Sequence, residues 1–147
     1  MKLWLLRHGE AEPHAASDAQ RRLTERGIRE VRLSAESLRG VGVQRVLVSP
    51  YRRAQETAQL VMQVTGLDCP LVTVDWLTPD TDPQRVINQL DDSAEIQLLV
   101  AHQPLLGELA GLLLHGHRGD PQPFRTAGLL ALQGPAAMAG LMERCRD

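Results

Sequence analysis

Lys2-Leu3-Trp4-Leu5-Leu6-Arg7-His8-Gly9, near the start of the chain, joins a short apolar run to an arginine, a histidine and a glycine. A nearly continuous apolar run of this length is typical of a strand that is buried on both faces of a sheet. The pattern returns twice, since residues 43–48 lead into Ser49 and residues 96–101 lead into His102. Polar side chains therefore follow three predicted buried strands.

Segments with helical spacing of apolar residues separate these strands. They begin at Thr24, Ser49-Pro50, Asp82-Pro83 and Pro104. Serine followed by proline is a typical N-cap and first helical residue, so we expect the second helix to begin at this pair. Weaker strands are predicted around residues 71–74, 129–132 and 138–142.

The order of these elements predicts the fold class. Strands that alternate with helices are typical of an α/β fold. We expect a three-layer α/β/α sandwich whose central sheet is mostly parallel and carries an antiparallel edge strand. The length of 147 residues is typical of one domain, and we expect a single domain over residues 1–147.

The composition is that of an ordinary globular protein. Apolar residues make up 43% and charged residues 23%, and the formal net charge is −2. Because there is no overall basic field, we expect neither nucleic acid nor a membrane as a partner. No apolar run has the length of a secretion signal or a membrane span, and Cys69 and Cys145 form no paired motif. We therefore expect a reducing, cytoplasmic location.

The basic residues are one lysine and fifteen arginines. A guanidinium group presents paired planar donors that match the oxygens of phosphate. The carboxyl ends of parallel strands meet at one edge of a sheet, where helix N-termini add N–H groups and partial positive charge. The side chains expected at this edge are Arg7, His8, the pair Arg52-Arg53, and His102. The sequence thus predicts a phosphate pocket.

Two histidines among arginines predict phosphoryl transfer without a metal ion. Arginines oppose a bound cation, and the histidines have neither zinc-type spacing nor carboxylate partners. A neutral histidine is able to attack phosphorus, and nearby arginines disfavour its protonated form. We therefore expect no metal and no cofactor.

Three motifs resemble those of the histidine phosphatase superfamily, which is also called phosphoglycerate mutase-like. They are Leu-Arg-His-Gly at 6–9, Ser-Pro-Tyr-Arg-Arg-Ala-Gln-Glu-Thr-Ala at 49–58 and Val-Ala-His-Gln-Pro at 100–104. The resemblance implies the fold of that superfamily and a phosphorylated His8 intermediate. It also implies that Arg7, Arg53 and His102 hold the phosphoryl group, because the phase of the second motif matches Arg53 and not Arg52.

The short chain resembles a compact branch of the superfamily that acts on phosphohistidine. This resemblance implies an auxiliary phosphate contact for Arg21, and Gly9 and Ser49 are predicted substrate-binding residues. Larger members carry an acidic general acid after the third strand, where Asp75 is the nearest candidate in a different local pattern. A weak or missing acid matters less for phosphohistidine than for an alkyl phosphate, since imidazole can be protonated before it leaves.

We predict a phosphatase in signal transduction that hydrolyses phosphohistidine on a protein, such as a phosphotransfer domain or a phosphocarrier. Phosphate itself is the second expected ligand. Two alternatives remain open. One is a small-molecule phosphoester phosphatase that uses Asp75 as its acid, and the other is a phosphate-binding adaptor without catalysis.

Overall fold

A computed structural model describes residues 1–146. Within this part of the chain the strands are β1 (Lys2–Arg7), β2 (Arg45–Val48), β3 (Leu71–Thr73), β4 (Ile96–Ala101), β5 (Leu129–Gln133) and β6 (Glu143–Arg144). The helices are α1 (Glu25–Glu36), α2 (Arg52–Thr65), α3 (Pro83–Gln89) and α4 (Leu105–His115), and a short 3₁₀ turn covers Asp18–Gln20.

The strands form one mixed sheet in the order β3-β2-β4-β1-β5-β6. The first four strands are parallel, whereas β5 is antiparallel to β1 and β6 is antiparallel to β5. The predicted α/β class with a mostly parallel sheet is confirmed. In the register, Arg7 pairs with Ala101 and Val48 pairs with Val100, so β1, β2 and β4 end at the same edge.

Helices cover both faces of the sheet, which confirms the predicted three layers. On one face, α3 and α4 pack against the side chains of Leu3, Leu5 and Leu99. On the other face, α1 and α2 pack against Leu6 and Leu98. Successive strand residues point to opposite faces, so strands that are apolar throughout supply two cores at once.

Two expectations about element boundaries were wrong. Helix α2 begins at Arg52, with Tyr51 as its N-cap, and not at Ser49-Pro50. The Ser49 hydroxyl is unavailable for capping because it contacts the His102 ring and accepts from the Tyr51 N–H. Tertiary contacts therefore override a local capping signal.

The last predicted strand also differs from the structure. Residues 138–142 form a turn, and β6 follows them at Glu143–Arg144. The Leu141 N–H donates to the Met138 carbonyl and the Met142 N–H donates to the carbonyl of Leu113 in α4, so these groups do not pair with a strand. The antiparallel strand β5 consequently lies inside the sheet, next to the short edge strand β6.

Over residues 1–146, no helix has both the length and the apolar character that crossing a membrane requires.

Candidate active site

The four central residues of the predicted pocket lie together at the carboxyl edge of the sheet. Arg7 ends β1, His8 follows it, His102 follows β4 and Arg53 lies in the first turn of α2. The ring centroids of His8 and His102 are 5.1 Å apart, and Arg53 Nε lies 3.3 Å from His8 Nε2. His8, Arg53 and His102 are only 6%, 3% and 1% exposed.

The His8 ring is held as a neutral imidazole whose Nε2 carries the lone pair. Its Nδ1 lies 2.7 Å from the Gly9 carbonyl oxygen, which can only accept, so Nδ1 carries the proton. The Arg53 Nε–H then donates to the Nε2 lone pair. Burial lowers the pKa of His8 to about 4; the hydrogen bond to Gly9 opposes this shift, and Arg53 and Arg7 reinforce it.

Gly9 allows the end of β1 and the start of α1 to approach closely. A Cβ at Gly9 would lie 2.6 Å from the Gly27 carbonyl oxygen and 2.8 Å from a methyl group of Val31. The Gly9 N–H donates to the Thr57 hydroxyl, which itself donates to the Arg53 carbonyl. The structure therefore gives this predicted substrate-binding residue a packing role, and its N–H already has an acceptor.

Ser49 fixes the tautomer of His102. Its hydroxyl lies 2.7 Å from His102 Nε2 and accepts from the Tyr51 N–H. Within residues 1–146 the buried hydroxyl proton has His102 Nε2 as its acceptor, which places the ring proton of His102 on Nδ1. Burial lowers the pKa of His102 to about 2, with further contributions from His8 and Arg53.

Two buried donors of the pocket have no protein acceptor among the described residues. They are His102 Nδ1 and Arg7 Nε, while Arg7 Nη1 donates to the Phe124 carbonyl at 2.8 Å. Burial, with the charge of Arg53, lowers the pKa of Arg7. A buried donor without a partner costs about 1–3 kcal/mol, so unpaired donors beside His8 indicate a site for an acceptor-rich ligand.

Asp18 is a site residue that the sequence analysis did not identify. Arg53 donates from Nη1 to the Asp18 carbonyl at 2.7 Å and from Nη2 to Oδ2 at 3.1 Å. Arg21 Nε donates to Oδ1 at 2.9 Å, which ties the predicted auxiliary arginine to Arg53 through one carboxylate. Partial burial raises the pKa of Asp18, but Arg53 and Arg21 outweigh this effect and hold the pKa below its ordinary value.

Two other residues named in the sequence lie apart from this cluster. Arg52 is exposed and pairs with Glu56 at 3.1 Å, so the adjacent arginines 52 and 53 have different environments. The Asp75 side chain is 83% exposed and pairs with Arg85 at 3.2 Å. Among the hydrogen bonds of residues 1–146, none joins Asp75 to the two histidines of the pocket.

The signals for the missed residues are weak in the sequence. Asp18 and Arg21 are three residues apart in a polar loop, which is a common surface spacing. Tyr51 lies between the motif serine and arginine, with its ring 5.1 Å from both the His102 centroid and the Arg53 guanidinium carbon.

Within residues 1–146, no cluster of three or more His, Cys, Asp or Glu side chains is arranged to hold a metal ion.

Comparison with known families agrees with this geometry. The model of the histidine phosphatase superfamily (branch 1) matches residues 3–78, and the chain belongs to this superfamily. It is a phosphatase of that class.

Its relatives include phosphohistidine phosphatase SixA of Escherichia coli (strain K12), 35% identical over 138 residues, which cover 90% of this chain and 84% of that protein. A SixA homologue of Haemophilus influenzae is 35% identical over 145 residues, with 90% and 87% covered. The solved structure of the protein histidine phosphatase SixA complexed with tungstate matches with a TM-score of 0.89 and 32% identity, over 99% of this chain and 95% of that one.

Proposed function

We propose that this chain is a phosphohistidine phosphatase that acts on a protein through a phosphorylated His8, without a metal ion. The observation that carries the proposal is the neutral His8 ring, whose Nε2 lone pair lies beside Arg53 in a pocket with unpaired donors. The names of the SixA relatives support the substrate class.

The first step of the proposed reaction moves the phosphoryl group to His8. The Nε2 lone pair of His8 attacks phosphorus, and the P–N bond to the substrate imidazole breaks, with its electron pair returning to the imidazole nitrogen. Arg7, Arg53 and the Nδ1–H of His102 donate to the phosphoryl oxygens, which stabilises their charge in the transition state.

The second step regenerates the enzyme. Water attacks phosphorus, the P–N bond to His8 breaks, and its electron pair returns to Nε2 while inorganic phosphate forms and the proton of the water passes to solvent. Because His8 is neutral again under ordinary conditions, the pocket is ready for another substrate.

The choice of phosphohistidine over an alkyl phosphate follows from the carboxylates near the pocket. An alkoxide leaving group needs a proton from a general acid, whereas an imidazole is able to take one from solvent before it leaves. Asp18 is held ionised by two arginines, and Asp75 is exposed and paired with Arg85. Neither carboxyl group is placed to protonate an alkoxide beside His8.

We further propose that residues 1–147 are one histidine phosphatase domain and that the partner is a cytoplasmic phosphotransfer domain or phosphocarrier. A phosphohistidine on such a domain is presented on its surface, where a short chain without a covering insertion is able to reach it.

The test is an assay with a chelator present, on a phosphohistidine-bearing phosphotransfer domain and on a simple alkyl phosphate. We expect turnover of the first and little of the second, and His8→Ala should lower turnover by about 10³-fold or more. His117→Ala, which removes an exposed histidine, is the matched control and should behave like the wild type.

Three outcomes would contradict the proposal. Full activity of His8→Ala would show that His8 is not the nucleophile. Faster hydrolysis of the alkyl phosphate, lost in Asp75→Asn, would support a phosphoester phosphatase. Phosphate binding without turnover of either substrate would support an adaptor.

A further inference from the structure

The Arg53 side chain is fixed by hydrogen bonds that use three of its five N–H groups. Nε donates to His8, Nη1 donates to the Asp18 carbonyl and Nη2 donates to the Asp18 carboxylate. A guanidinium group has five donors in a rigid plane, so the described part of the chain leaves two N–H groups of Arg53 for a ligand. Since the plane is rigid, the two contacts with Asp18 also set the direction in which the Arg53 Nε faces His8.

The carboxylate of Asp18 also joins two like charges. Oδ1 accepts from Arg21 and Oδ2 accepts from Arg53, while the charges of both arginines reach His8 and lower its pKa. Without a carboxylate between them, two guanidinium groups would repel each other. The remainder of Arg21 is fixed by a donation from Nη1 to the Glu12 carbonyl.

We propose that Asp18 is a positioning residue that holds Arg53 and Arg21 in the orientation in which they receive the phosphoryl group. It acts through the two arginines and does not touch the reacting atoms. This role rests on the proposed function only in that the pocket binds a phosphoryl group. It is the same whether the substrate is a phosphoramidate, such as phosphohistidine, or a phosphate ester.

Two other roles for Asp18 disagree with its contacts. A general acid must carry a proton, whereas this carboxylate accepts hydrogen bonds from two arginines, which favour its ionised form. An inhibitory anion would occupy the ligand-binding donors of Arg53, whereas Asp18 leaves two N–H groups of Arg53 unused.

The test compares Asp18→Asn with a matched aspartate elsewhere. Asp91 is the control, because it is also an exposed aspartate paired with an arginine: its side chain is 57% exposed and that of Asp18 is 59%. Arg21 and Arg53 use different oxygens of Asp18, and asparagine replaces one of these oxygens by an NH2 donor and removes the charge, so one arginine loses its acceptor. We expect Asp18→Asn to lower kcat about tenfold, with a smaller change in KM. The Kd for tungstate should rise several-fold, and Asp91→Asn should leave all three constants within about twofold.

Asp18→Ala keeps the main-chain carbonyl contact and removes both carboxylate contacts. Its decrease in kcat and its increase in the tungstate Kd should therefore exceed those of Asp18→Asn. Tighter tungstate binding with a higher kcat/KM in either variant would overturn the proposal, since it would mark Asp18 as a competing anion. A lower Tm with unchanged kcat and tungstate Kd would overturn it as well. If wild-type protein fails to hydrolyse phosphohistidine but tungstate binding weakens in both variants, the proposed substrate is wrong and the role of Asp18 stands.

Discussion

Two arginine–aspartate pairs occur at opposite ends of the sheet, and their surroundings differ. Arg45, the first residue of β2, pairs with Asp91 at 3.3 Å, and Arg53 pairs with Asp18 at 3.1 Å beyond the carboxyl ends of the strands. Both aspartates are exposed to a similar degree. The arginines differ, because Arg53 is almost fully buried and Arg45 is one-fifth exposed.

The difference lies in how the buried polar groups around each pair are satisfied. At the Arg45 end, the buried Gln97 accepts from Nε and Nη2 of Arg45 and donates to the carbonyls of Asp91 and Ala94. At the Arg53 end, His102 Nδ1 and Arg7 Nε are buried, and residues 1–146 give them no protein acceptor. A polar cluster whose groups are all paired stabilises the fold, whereas one with unpaired donors is suited to a ligand.

Substitution of each arginine by lysine should show this difference most strongly. Lysine keeps the charge but loses the planar fork, so Arg53→Lys should lower kcat/KM about 10²-fold through weaker stabilisation of the phosphoryl oxygens. Arg45→Lys should leave kcat/KM within about twofold. Steady-state kinetics on a phosphohistidine protein measures both, and equal losses in the two variants would remove the distinction between the ends.

Substitution of Gln97 should lower the stability of the fold and leave catalysis almost unchanged. Gln97→Ala leaves two arginine donors and two carbonyl groups without their buried partner, so we expect the free energy of unfolding to fall by about 2 kcal/mol. Urea denaturation measures this change, and kcat of the folded variant should stay within about twofold. A large loss of kcat with unchanged stability would place this cluster in the catalytic machinery.

Acid should lower the stability of the folded protein through the two buried histidines of the pocket. Burial lowers the pKa of His8 to about 4, below the ordinary value of 6.5, so the unfolded chain binds more protons between these values and stability falls as pH decreases. For His8 alone the loss between pH 7 and pH 5 is about 2 kcal/mol.

Urea denaturation at several pH values, without phosphate, measures this loss. His8→Gln should remove about half of the dependence between pH 7 and pH 5, because His102, whose pKa burial also lowers, keeps its share. The exposed-histidine variant His117→Ala should keep the full dependence. If His8→Gln retains the full slope, the ring of His8 is not held neutral by the fold.

The same contrast explains how far the sequence could predict the molecule. Residues 96–101 were predicted as a strand and form one with those bounds, because an unbroken apolar run has few alternatives in a buried sheet. The positions of His8, His102 and the pair Arg52-Arg53 followed from strand ends that meet at one edge, and the resemblance to the superfamily selected Arg53 from that pair. Strand positions and the residues that follow them depend on local sequence patterns, and a parallel sheet brings the ends of its strands together at one edge.

Contacts between distant residues were not predictable in the same way. Ser49 has the local pattern of an N-cap, but its hydroxyl contacts His102, 53 residues away in the chain. Asp18 lies in a polar loop, and its contact with Arg53 depends on how that loop folds back over α2. Such residues have no periodicity of their own, so only the packed structure shows what they touch.

The central claim is that His8 carries the phosphoryl group during turnover, and rapid mixing with a phosphohistidine protein followed by an alkaline quench tests it most directly. Mass spectrometry of the digested enzyme should then locate an acid-labile, alkali-stable phosphoryl group on the peptide that contains His8, and this group should be absent from His8→Ala. Turnover at the normal rate without any phosphorylated enzyme, or with the phosphoryl group on His102 instead, would contradict the account.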